Sequence, residues 1–179
     1  MASVRQLMRR IEARIERTWR QMPHLPKDGQ RWLAYNVWWI VLIGAILSAF
    51  SALALLNWLR DLAFPLSYYG YALVGSFTAW QEVTTTISLA FVIITGLLLA
   101  FAVKPLKAVQ KKGWALVFMA SLVEAINIAV GAILSLSLFT FVIDVIFGAI
   151  FIAIGLYFLF EIRDQFAHVI KTTKITPKK

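Results

Sequence analysis

The sequence predicts an all-α integral membrane protein, a four-helix bundle with both termini in the cytoplasm (N-in, C-in), preceded by an amphipathic cytoplasmic helix. Three observations predict this fold. Hydrophobic residues make up 60% of the 179 residues, whereas soluble domains are usually about 45–50% apolar. Several long runs contain no charged residue, and the basic residues lie between those runs or at the chain ends.

The first predicted element is a basic amphipathic helix within residues 1–31, which ends at Pro23. Its apolar residues fall within about 120° of one another at 100° per residue: Val4, Leu7, Met8, Ile11, Ile15, Trp19 and Met22. We expect the following residues to contact the anionic cytoplasmic leaflet: Arg5, Arg9, Arg10, Arg14, Arg17, Trp19 and Arg20. In the alternative interpretation, the apolar stripe packs on the protein's own cytoplasmic loops or on another copy.

Four apolar spans are predicted in the membrane domain, residues 32–162. A helix needs roughly 20 apolar residues to cross about 30 Å of hydrocarbon, and the runs that meet this length predict spans at residues 35–59, 83–103, 113–135 and 138–160. A tight turn is expected near Ser135–Ser137. Residues 60–82 are predicted to be an outer interfacial segment, because a proline and two glycines disfavour a helix there and its tyrosines suit the membrane surface.

The basic residues predict the orientation, since cytoplasmic loops carry an excess of lysine and arginine. Eight of the 18 precede the first span, four lie in residues 104–112 and five lie in the basic tail, residues 163–179. Only Arg60 is left for the opposite side. A fifth span within residues 62–81 would place the 104–112 loop outside, so we expect four spans in a cell (inner or plasma) membrane.

A polar site is predicted where the third and fourth spans meet. Glu124 lies near the middle of the third span, and Asn127 shares its helix face. Asp144 of the fourth span is expected at the depth of Asn127, about one helical turn from the depth of Glu124. An ionisable residue at the centre of a membrane helix costs about 2.5–3.5 kcal/mol. Hydrogen bonding between helices is the favoured role, and a proton or cation site or a site for another polar ligand is the alternative. The second span carries a weaker polar line, Thr85, Ser88 and Thr95.

The composition argues against several other classes of site. The chain has no cysteine, which excludes disulfides, zinc–thiolate sites and cysteine nucleophiles, and its glycines form no phosphate-binding loop. Five titratable residues are expected near the cytoplasmic end: His24, Asp28, Glu161, Asp164 and His168. The favoured interpretation is a solvated, charged helix end, and the alternative is a metal or acid–base cluster. We expect no catalytic residue, metal or cofactor. The net charge of +9 is attributed to membrane orientation and not to nucleic acid.

Two segments resemble small, uncharacterised four-span membrane proteins of ultrasmall bacteria. They are KKGWALVF at residues 111–118 and IGLYFLFEIR at residues 154–163. The resemblance covers part of the C-terminal half and carries no function. The sequence therefore predicts a non-enzymatic membrane protein that associates with itself, with lipid or with a membrane partner. The alternative is a small proton- or cation-coupled transporter or channel that uses the buried acids of spans three and four.

Overall fold

The computed structural model describes residues 23–69, 71–135 and 138–166. It also describes four residues of the N-terminal segment, all helical: Gln6, Arg10, Arg14 and Ile15. These residues form no β-strand. Beyond the N-terminal segment the helices are α1 (Lys27–Tyr69), α2 (Tyr71–Lys107), α3 (Lys111–Leu134) and α4 (Leu138–Glu161). Each contains a stretch long and apolar enough to cross a membrane. The predicted all-α class and its four long apolar helices are confirmed.

The four helices pack in chain order. Helix α2 packs on α1 and α3, and α4 packs extensively on α3 alone among the described helices. Successive helices reverse direction, so the start of α1, the α2–α3 turn and the end of α4 lie together. We call this the basic end (residues 23–34, 104–114 and 159–166). The Lys107 ammonium lies 5.1 Å from the Trp38 ring centre, which brings the α2–α3 turn beside α1.

A buried core lies near the basic end and is built around Trp114. The Trp114 ring stacks on Phe118 with centroids 5.3 Å apart, and Phe160 packs edge-on against both rings. The Trp114 indole N–H donates to the Leu159 carbonyl at 2.7 Å. That carbonyl is near the end of α4, where helical partners run out, so Trp114 both fills the core and completes the end of α4.

The packed domain continues beyond residue 162, where the basic tail was predicted to begin. Ile162 and Phe166 are both fully buried and belong to the same core. Apolar burial of this kind favours order over a solvated tail. Residues 167–179 lie outside the described residues.

Away from the basic end, large apolar side chains cover the outer surface. Ile133, Phe139 and Phe151 are 78%, 74% and 71% exposed. Soluble monomers rarely expose contiguous apolar patches beyond a few hundred Å². Together with the four apolar helices, this surface indicates a multi-pass membrane protein.

The α2–α3 turn is a tight helix termination of the Schellman type. The Gln110 N–H donates to the Pro105 carbonyl at 2.9 Å, and the Val109 N–H donates to the Leu106 carbonyl at 2.8 Å. Val109 has the left-handed φ of 50° that this motif requires. Glycine usually occupies this position, because a side chain there costs about 1–2 kcal/mol. Packing of Val109 against the core offsets part of that cost.

The sequence analysis expected residues 60–82 to form a separate interfacial segment, but they do not. Their backbone is helical on both sides of Gly70, continuing α1 and α2, and Leu62 is buried. The Trp80 indole donates to the carbonyl of Leu134, at the end of α3, at 3.1 Å. The part of α2 before Trp80 therefore extends about 14 Å beyond α3 at 1.5 Å per residue. Packing between α1 and α2 outweighs the helix penalties of proline and glycine on which the prediction relied.

The α3–α4 turn lies where the sequence predicted it. Helix α3 ends at Leu134, and the Ser135 N–H donates back to the Ala132 carbonyl at 3.3 Å. Residues 136 and 137 lie outside the described residues. The serine-containing interruption in the long apolar run therefore marks the end of α3.

Replacement of Gly113 by alanine is expected to destabilise the protein by about 1–3 kcal/mol, the usual cost of overpacking. A Cβ at residue 113 would lie 2.6 Å from the Leu106 amide nitrogen, so relief of the clash requires backbone movement at the turn. Denaturant unfolding in detergent, followed by circular dichroism, measures the effect.

Gly131→Ala is the matched control in the same helix. A Cβ there meets no atom within 4 Å, and alanine in a helix interior is favoured over glycine by about 0.5–1 kcal/mol. Equal stabilities of the two variants would contradict the close contact at the α2–α3 turn.

Candidate functional site

A polar cluster of Thr95, Glu124 and Asn127 lies at mid-height in the packed helices; we call it the mid-helix cluster. Glu124 lies 13 residues after the start of α3 at Lys111, and Thr95 lies 12 residues before the end of α2 at Lys107. At 1.5 Å per residue both positions are about 20 Å from the α2–α3 turn. Because the two helices are antiparallel neighbours, the side chains meet at one depth.

The Glu124 carboxylate accepts two hydrogen bonds in this cluster. The Thr95 hydroxyl donates to Oε2 at 3.5 Å, and the Asn127 amide donates to Oε1 at 3.4 Å. Thr95 is buried, with 8% of its surface exposed. Both bonds are longer than the common 2.7–3.2 Å and are therefore weak. The Thr95 bond connects α2 to α3, the Asn127 bond lies within α3, and both carboxylate oxygens keep acceptor capacity.

The structure places two of the three residues of the predicted polar site in contact and gives Glu124 a partner on a different helix. Glu124 and Asn127 are in contact, as their spacing of three predicts. Within the described residues, however, Glu124 bonds across to Thr95 of α2 and not to α4, where the sequence analysis expected its partner. The Asp144 side chain lies outside the described residues, so its placement beside Glu124 stays a prediction. The sequence analysis placed Thr95 in a separate polar line of the second span. It could have been predicted as the partner of Glu124, because the two residues are nearly the same number of residues from the α2–α3 turn.

Helices α3 and α4 do meet, and they do so through a glycine. A Cβ at Gly148 would lie 2.7 Å from Cδ1 of Ile128, so the missing side chain admits the isoleucine. Small residues at helix contacts in membranes permit this kind of close approach. The contact between spans three and four is therefore apolar at this point.

The mid-helix cluster has one carboxylate, one hydroxyl and one amide as possible cation ligands. Oxygen atoms of these types suit hard cations. In the part of the chain that the structure describes, no three histidine, aspartate or glutamate residues lie close enough together to hold a metal ion. Among the described side chains of the mid-helix cluster, a cation at Glu124 would find neutral oxygen atoms as its other ligands.

A second polar cluster lies at the basic end, around Glu161. The Leu25 N–H donates to Oε1 at 2.6 Å, the Gln30 side chain donates to the same oxygen at 2.9 Å, and His24 Nδ1 lies 3.2 Å from Oε2. Only 5% of the Glu161 side chain is exposed. A carboxylate at a helix N-terminus is favoured by the helix dipole. Glu161 therefore links the end of α4 to Leu25, just before the start of α1, and to the Gln30 side chain within its first turn.

The favoured interpretation of a solvated helix end is wrong for Glu161. Its burial beside three hydrogen-bonding groups makes it a structural link between the first and last helices. Asp28 and Asp164 are exposed, and His168 lies outside the described residues. Tyr157 adds to the link, since its hydroxyl donates to the Pro23 carbonyl at 2.7 Å.

The predicted membrane-surface helix is described at only a few of its residues. Ile15, from the apolar stripe, packs against the core and lines a groove with Leu156 of α4. This contact supports the alternative in which the stripe packs on the protein itself. Arg10 and Arg14 are exposed; the other predicted lipid contacts lie outside the described residues: Arg5, Arg9, Arg17, Trp19 and Arg20.

The helices and their apolar exterior define a multi-pass helical membrane protein with one polar cluster between α2 and α3 and another at the basic end. Comparison of the chain with protein-family models, with curated proteins and with solved structures finds no match. The resemblance to four-span proteins of ultrasmall bacteria stays a prediction.

Glu161→Ala is expected to destabilise the protein by about 1.5–3 kcal/mol, the usual contribution of a hydrogen bond to a charged group. The substitution leaves the Leu25 N–H and the Gln30 amide without their shared acceptor. Thermal unfolding in detergent measures the loss. Asp164→Ala is the control, because this exposed acid three residues away should change stability by less than about 0.5 kcal/mol. Equal losses would contradict the role of Glu161 as a link between α1 and α4.

Proposed function

We propose that the protein is a non-enzymatic membrane protein that associates with a second copy of itself through a groove between α3 and α4. The groove is the observation that carries the proposal. It has a volume of about 500 Å³, and its lining includes Ile15 of the N-terminal segment and four alanines, which a partner helix would contact: Ala125, Ala129, Ala149 and Ala153.

The spacing of these alanines suits a partner helix. In each of α3 and α4 the two residues are four apart and so lie on one helix face. Lipid tails are as apolar as the side chains, so the hydrophobic effect contributes little to association of helices within a membrane. Close van der Waals packing contributes instead, and small residues permit it. A groove lined by small residues on two adjacent helices therefore offers a partner helix close packing along both of its sides.

The position of α4 in the bundle also supports association. It packs extensively on α3 alone among the described helices, and Ala129 on the α3 side of the groove is exposed. A second copy that covers this face would give α4 a second neighbour.

The proposed orientation follows from the charges. The lysines of residues 104–112 lie with the start of α1 and the end of α4 at the basic end, and the excess of basic residues on that side favours the cytoplasm. Both ends of the membrane domain then face the cytoplasm of a cell membrane.

Cysteine cross-linking in membranes tests the association, since the chain contains no native cysteine. Ala129→Cys is expected to form disulfide-linked dimers severalfold faster than Ala90→Cys. Ala90 is exposed on α2, at nearly the same distance from the basic end, about 26 Å, but outside the groove. Addition of Ala149→Leu to the Ala129→Cys chain should slow cross-linking by filling the groove. Equal rates for the two cysteines would reject self-association at this face.

A second candidate function is transport of a proton or a cation through the mid-helix cluster. The specific observation in its favour is the pair of long hydrogen bonds at Glu124, which leaves both carboxylate oxygens able to accept further partners. The sequence analysis also assigned Asp144 to this route.

Glu124→Gln distinguishes transport from helix adhesion. The amide keeps the size and the acceptor oxygen of the side chain but removes its charge. If Glu124 carries ions, pH- or cation-driven flux in proteoliposomes should fall at least about tenfold while thermal stability changes by less than about 1 kcal/mol. Thr95→Val is the companion variant, because it removes the interhelical hydrogen bond and retains the carboxylate. Absence of flux in the wild-type chain would reject transport under the conditions tested.

A further inference from the structure

We infer that a groove beside the α2–α3 turn binds one anionic phospholipid. The headgroup phosphate would lie between the ammonium groups of Lys104 and Lys112, and an acyl chain would lie along Phe101 and Leu116. This inference rests on the membrane insertion that is part of the proposed function, and it does not depend on the α3–α4 groove.

The groove combines two chemical surfaces. It has a volume of about 570 Å³, and its lining includes Ala100, Phe101, Lys104, Gln110, Lys112 and Leu116. Lys104 lies in the last turn of α2 and Lys112 in the first turn of α3, so the turn brings two cations to its mouth. Gln110, at the turn, supplies an amide that can donate to a phosphate oxygen.

The apolar side of the groove lies in the direction of the spans. Phe101 precedes Lys104 by three residues and Leu116 follows Lys112 by four, so each is about one helical turn further from the basic end. The Phe101 side chain is 69% exposed. The arrangement therefore passes from charge to apolar surface over about 5 Å, the pitch of a helix. An amphiphile with its phosphate at the membrane surface matches this order, whereas a free anion would use only the polar half.

The lysines around the turn are not equivalent. Lys107 lies over the Trp38 ring, with its ammonium 5.1 Å from the ring centre, and so points towards α1. Lys104 and Lys112 line the groove. The start of α3 adds a favourable environment for an anion, because backbone N–H groups and the helix dipole are positive there. Charge complementarity thus singles out two of the four lysines in residues 104–112.

Native mass spectrometry of the full chain in detergent tests the inference. With phosphatidylglycerol added, we expect a one-to-one lipid adduct that survives collisional removal of detergent, and much less adduct with phosphatidylcholine. Lys104→Gln with Lys112→Gln should lower retention of phosphatidylglycerol about five- to thirtyfold, since each lysine at an anionic surface contributes about a fivefold gain in binding. Lys27→Gln with Lys111→Gln is the control, because it removes the same charge from exposed residues at the same end.

Two further measurements distinguish binding of a lipid phosphate from binding of free inorganic phosphate. Phe101→Ser should weaken phosphatidylglycerol retention while leaving both lysines, and millimolar inorganic phosphate should not displace the lipid. Displacement by phosphate, or no effect of Phe101→Ser, would mean that an anion binds without its acyl chain and would overturn the lipid assignment. Equal losses in the two lysine pairs would overturn the site itself.

Carbonate extraction of membranes distinguishes failure of this inference from failure of the proposed function. The wild-type chain and all variants should remain in the membrane pellet. If the chain is retained there but shows no preference for phosphatidylglycerol, the lipid site is rejected and membrane insertion stands. Release of the wild-type chain into the supernatant would reject membrane insertion, and the lipid site with it.

Discussion

The structure depends on hydrogen bonds to backbone groups at or beside the helix ends, because the last groups of a helix have no partner within it. The indoles of Trp114 and Trp80 each donate to a carbonyl at the end of a neighbouring helix. The Glu161 carboxylate accepts the amide hydrogen of Leu25, just before α1. In each case a side chain from one helix bonds to the backbone at or next to the end of another helix. Since the same side chains pack between helices, termination and tertiary packing are achieved by the same contacts.

Composition and charge predict the class of fold because crossing a bilayer requires only length and apolarity, and the structure contains four such helices. Helix limits are less predictable. The first span was expected at residues 35–59, whereas α1 covers Lys27–Tyr69. A span ends where the hydropathy falls, but a helix ends where its backbone finds another partner. At the α2–α3 turn that partner is the helix's own backbone, arranged around Val109 with a positive φ, which no local preference of valine would predict.

The same limit applies to the polar residues: the sequence predicts contacts within a helix but not contacts between helices. Glu124 and Asn127 were assigned to one site because a spacing of three residues places side chains on one face of a helix. Their partner Thr95 belongs to another helix, and the contact depends on the depth of both residues relative to the turn. Glu161 was assigned to solvent because charged residues at helix ends are usually exposed. Its burial follows from the position of the chain before α1, which is a tertiary property.

The contact between Glu161 and the residues before α1 joins chain positions more than 130 residues apart. During synthesis the first helix is made long before the carboxylate that bonds to Leu25, just before it. Until the end of α4 emerges, the amide of Leu25 must bond to water or to lipid headgroups. This contact at the basic end can therefore form only after α4 has been synthesised, and a chain interrupted before Glu161 would lack it.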